Sequence, residues 1–121
     1  MKPSRPKEFS FSDPVYGLVC WVRVGGSYEE AEEWSDTHID VAHRKVFGGV
    51  DAAAFCNEGE PAACIWFGEK PTPGLVAHEM LHVVVHLMET IGSWPLCSGN
   101  EENFAYYLGW GVDQVFKGMK L

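Results

Sequence analysis

The sequence predicts an α+β fold. Three observations carry this reading: a β-branched and aromatic run over residues 16–24 that stops at Gly25-Gly26, two apolar runs flanking a cluster of turn formers at residues 57–61, and a long apolar helical stretch opened by Thr72-Pro73. The chain has 121 residues, 46% of them apolar and 13% aromatic, which is the size and composition of one domain with an ordinary core. A single domain over residues 1–121 is therefore expected. Residues 1–14 hold three prolines and several charges and read as an irregular N-terminal arm.

The elements follow in order. After the first strand, Ser27 and Glu30 have the spacing of a capping box, and Ala31, Trp34 and Val41 recur at helical intervals, so a helix is expected. Gly48-Gly49 interrupts the chain. Residues 50–56 and 62–68 then read as a β-hairpin around the 57–61 turn. Thr72 supplies an N-cap and Pro73 a first helical residue for a helix ending at Gly92, apolar nearly all round and so expected in the core. An irregular stretch with Pro95 precedes a last helix towards Lys117, capped by Ser98 with Glu101 or by Asn100. Together these give a small mixed sheet with helices on it.

Seventeen acidic residues against nine basic ones leave a formal charge of -8, which argues against nucleic acid and anionic membrane as partners. No apolar run is long enough for a signal peptide or a membrane span, so a soluble, cytoplasmic protein is expected. Cys20, Cys56, Cys64 and Cys97 form no CxxC pairs and read as reduced, mostly buried thiols. The acidic cluster Glu29, Glu30, Glu32 and Glu33 spreads around a helix and reads as a solvated face at its N-terminus. His38 and His43 have no recognisable partner pattern and read as structural or surface residues.

The chemistry is carried by His78-Glu79-Met80-Leu81-His82. Two histidines four apart on a helix project from one flank and can offer imidazole nitrogens to a single Zn²⁺. Glu79 is not placed to be a third ligand while both neighbours bind, but it can reach a metal-bound water and take its proton. His86 continues the stripe, yet eight residues of helical rise put it about 12 Å from His78, too far to share one ion. It reads as a core histidine or as a group supporting a ligand. A third histidine after a glycine turn is absent, because VVVHLM follows His82.

The remaining donor is sought in NEENFAYYLGW, residues 100–110, where Glu102 and Ala105 lie one turn apart. HExxH followed at such a distance by ExxA resembles the gluzincin metallopeptidases. NEENFA looks like the NEGFA segment of their aminopeptidase branch with one residue inserted, and the arrangement is similar to small HExxH proteins of phages and prophages. The resemblance covers about residues 62–112. It implies a minimal zincin-like domain, Zn²⁺ as cofactor, His78, His82 and Glu102 as metal ligands from two helices, Glu79 as general base, and a peptide or protein as substrate.

Alternatives stand beside each assignment. Glu101 takes the ligand role if the register differs, and either acid could simply favour a helix N-terminus. Tyr106 lies one turn from Glu102; its hydroxyl would stabilise an oxyanion if it faces the metal, and otherwise it is packing. The strand at residues 62–68 is expected as the edge that holds an extended peptide, with Trp66 lining the cleft or lying in the core. The competing function is a non-catalytic zinc-binding or protein-interaction module on the same scaffold.

Overall fold

The computed structural model describes residues 5–120. Among them the chain runs β1 (Lys7–Ser12), β2 (Val19–Val24), α1 (Tyr28–Asp36), a single 3-10 turn (Val41–His43), β3 (Arg44–Gly48), β4 (Ala52–Asn57), β5 (Ala62–Phe67), α2 (Pro73–Thr90) and α3 (Glu101–Met119). The five strands form one mixed sheet in the order β1-β2-β5-β4-β3, with only β2 and β5 parallel. The α+β class and the mixed sheet follow the sequence reading. None of the described helices is long and apolar enough to cross a membrane.

Two layers of helix sandwich this sheet. On one face α2 and α3 cover Cys20, Val22, Ala54, Ile65 and Phe67, using Val76, Met80, Val83, Val84 and Leu87. On the other, Ala31 and Trp34 of α1 pack on Phe55, Cys64 and Trp66. α1 starts where Ser27 accepts the Glu30 N–H at 3.1 Å and Glu30 accepts the Ser27 N–H at 2.9 Å, the reciprocal capping expected from their spacing. It stops at Asp36, before Val41 is reached.

Two expectations are corrected by the fold. Residues 7–12 are not part of an irregular arm but the outer strand β1. Their alternating burial places Phe9 and Phe11 towards the core, and the flanking Pro6 and Pro14 mark the ends of the strand rather than excluding one. The strand at residues 62–68 is not an edge. β5 pairs with β2 on one side and β4 on the other, and its run AACIWF is buried on both faces, as an interior strand requires. The edges are β1 and β3, neither foreseen as a strand, and Trp66 takes the core place that was one of its two alternatives, its indole N–H donating to the Gly25 carbonyl at 3.0 Å.

Under α1, His38 stacks on Trp21 with ring centroids 4.4 Å apart and meets the edge of Trp34 at 5.6 Å. Burial between these rings lowers its pKa below the ordinary 6.5. A lowered histidine contributes stability that is complete above pH 6.5 and is lost as pH falls through the folded-state value. Thermal unfolding is accordingly expected at lower temperature in mildly acidic buffer than at neutral pH, with His38→Phe shallower in that slope. An unchanged slope in the variant would remove His38 as a source.

Candidate metal centre

α2 is placed by local signals. Thr72 Oγ1 accepts the Leu75 N–H at 3.2 Å, Pro73 occupies the first turn, and Gly92 turns the chain out at φ 77°. Its apolar side faces the sheet and α3, which leaves His78 exposed and His82 half-buried along the flank nearest β3. Their rings lie 5.2 Å apart, and Phe47 of β3 stacks flat on His82 at 4.5 Å. Phe47 thereby limits the positions open to the imidazole.

His78, Glu79 and His82 form a group that could hold a metal ion, with one donor atom from each lying within 4.8 Å of the others. Glu79 is only 2% exposed, and its Oε1 has no hydrogen-bond partner among the described residues. A buried carboxylate oxygen left unpaired is costly, and a cation or an ordered water beside it removes that cost. Burial raises the Glu79 carboxyl above its usual range, partly offset by His78. Burial also lowers His82, assisted by repulsion from His78, and so favours the neutral imidazole that a metal needs. These residues fit a divalent ion.

Beside the group opens a cleft of about 720 Å³, whose wall includes Gly48, Asp51, Thr72, His78 and Glu79. Phe47 and Asp51 come from the β3–β4 hairpin and were not anticipated as neighbours of the histidines. Gly48-Gly49 was the available signal, since a turn there had to fold back against something.

α3 does not bring its acids to this group. Asn103 meets Met88, while Gly111 lies so close to Met80 that an added Cβ would clash with it, so the two helices run antiparallel. The first turn of α3 therefore lies beside Met88, six residues and about 9 Å of rise beyond His82. α3 also packs over β1, where Phe11 meets Trp110, whereas the histidines face β3. Glu101, Glu102 and Ala105 are exposed, as is Tyr106 at 64%. Tyr106 touches Tyr107, whose hydroxyl donates to Asp13 at 3.1 Å.

Among the described residues the other histidines and the thiols stand outside this group. His86 is buried with Nε2 2.7 Å from the Glu60 carbonyl, and His43 pairs with Asp40 at 3.0 Å. Cys20, Cys56 and Cys64 are free and buried, and burial pushes Cys56 up to about 12, so they remain protonated thiols rather than ligands. Cys97 is free and exposed. Compared with protein families, curated proteins and solved structures, the chain finds no match.

Proposed function

We propose that this protein is a zinc-dependent hydrolase acting on peptides, with His78 and His82 holding the metal and Glu79 serving as general base. The observation that carries the reading is the buried, unpartnered Glu79 Oε1 beside two histidines at i, i+4 spacing. Bound zinc would supply Lewis acidity, polarising a carbonyl and making a water easier to deprotonate. Glu79 would accept a proton from a water in the cleft it lines and return it to the leaving amine. Phe47 holds His82 in place during the cycle. An extended peptide is favoured as substrate because β3 leaves one backbone edge of the sheet unpaired beside His82.

A second reading has its own support. Donor atoms of all three residues lie within 4.8 Å, which suits a site where Glu79 is itself a ligand and the metal is structural. Elemental analysis of the purified protein tests the shared premise. About one zinc per chain is expected, reduced to background in His82→Ala, together with cleavage of a mixed peptide library that stops on chelation and returns on adding zinc. Stoichiometric zinc without any such cleavage would favour the structural reading, and no zinc would end both.

A further inference from the structure

Catalytic zinc sites take three protein donors and leave a position open, and His78 and His82 supply two. The hairpin opposite α3 carries an acid that can supply the third. Asp51 lines the same cleft as His78 and Glu79 but stands outside the 4.8 Å group that these two form with His82, so its turn has to swing inward for the carboxylate to reach the metal. The Gly68 N–H donates to the Asp51 carbonyl at 2.9 Å, and around it the Gly49 N–H donates to the Ala52 carbonyl at 2.9 Å, closing the turn. Its carboxylate is exposed and makes no hydrogen bond or ion pair among the described residues. Glu79 Oε1, buried and unpartnered in the same wall, independently points to a ligand in this cleft. The next acid, Glu69, borders an adjoining recess that neither histidine lines.

We infer that Asp51 is the third protein ligand, so that the β3–β4 turn and not α3 completes the donor set and Glu79 stays free as base. This inference rests on the assignment of His78 and His82 to the metal. It makes the hairpin tip part of the centre: the turn that closes one side of the cleft also carries a donor. Gly48 is fixed against Ala53, where an added Cβ would clash, whereas no neighbouring atom lies within 4 Å of where a Cβ on Gly49 would sit, so Gly49 is the point at which the turn can adjust on metal entry.

Competition for Zn²⁺ with a coloured chelator, run on the wild-type chain, Asp51→Asn, Glu102→Gln and His82→Ala, tests the assignment. Losing a group that merely orients a ligand costs about 10- to 100-fold in affinity, so Asp51→Asn is expected to weaken zinc by about a hundredfold or more. Glu102→Gln should bind as the wild type does. Because Asp51 is exposed, the metal-free Asp51→Asn protein should unfold at the wild-type temperature, and its cobalt form should show altered visible bands. Wild-type zinc affinity in Asp51→Asn overturns the inference, and a loss confined to Glu102→Gln would place the third donor on α3. In both cases His82→Ala still loses zinc and the metal assignment stands. If the wild-type chain itself binds no zinc, both fall.

Discussion

Glu79→Gln is expected to lose about a thousandfold of peptide-hydrolysing turnover while retaining one zinc per chain. General acid–base catalysis contributes about 10²- to 10⁴-fold, and a thousandfold corresponds to about 4 kcal/mol of transition-state stabilisation. Glutamine preserves the shape of the buried side chain but has no basic oxygen to receive a proton. The histidines and the cleft should be undisturbed, so zinc content separates loss of the base from loss of the site. Turnover within a factor of ten of wild type would refute the role of Glu79 as base. Loss of zinc along with activity would make Glu79 a ligand and support the structural reading.

Trp66→Ala should produce the largest loss of stability. The indole is 1% exposed, lies among Phe55, Ala53 and Tyr28, and donates its N–H to Gly25. Replacing a buried Trp with Ala costs about 3–5 kcal/mol through lost burial and the cavity left behind. Domains typically have only about 5–15 kcal/mol in total, so the urea midpoint should fall sharply. Trp66→Phe should fall less, since it keeps most of the ring volume and loses the hydrogen bond. Trp66 lies on the α1 face of the sheet, away from α2, so the fraction still folded should bind zinc normally. A cost under about 1 kcal/mol would contradict its place in the core and return it to the surface.

Much of the candidate site was legible because its determinants are local. Thr72-Pro73, Gly92 and the i, i+4 histidines all act within one helix, and the turn residues at 57–61 act within one hairpin. What escaped the sequence depends on partners distant in the chain. β1 was obscured by prolines that lie beside the strand, and β3 by its short, charged segment directly after a helical pattern. Whether a strand lies at an edge depends on pairings such as Val19 with Ala62, which no local pattern encodes. The placement of Glu102 is of the same kind: its spacing to Ala105 describes one helix, whereas the register of that helix against α2 is set by contacts such as Gly111 with Met80. The acids in that first turn sit where the helix dipole favours negative charge.

The antiparallel strands β3, β4 and β5, with α2 packed on them, have a further consequence for how the molecule breathes. All four elements come from residues 44–90, one unbroken stretch, whereas β1 and α3 come from opposite ends of the described chain and meet where Gly118 lies against Phe9. Proteins open in contiguous cooperative units rather than uniformly. Separation of β1 and α3 from the rest breaks one outer ladder and one helix interface, yet leaves the His78–His82 flank and the hairpin beside it joined to each other. In amide-exchange terms, the metal-bearing stretch can stay closed through fluctuations that expose the outer strand and the last helix.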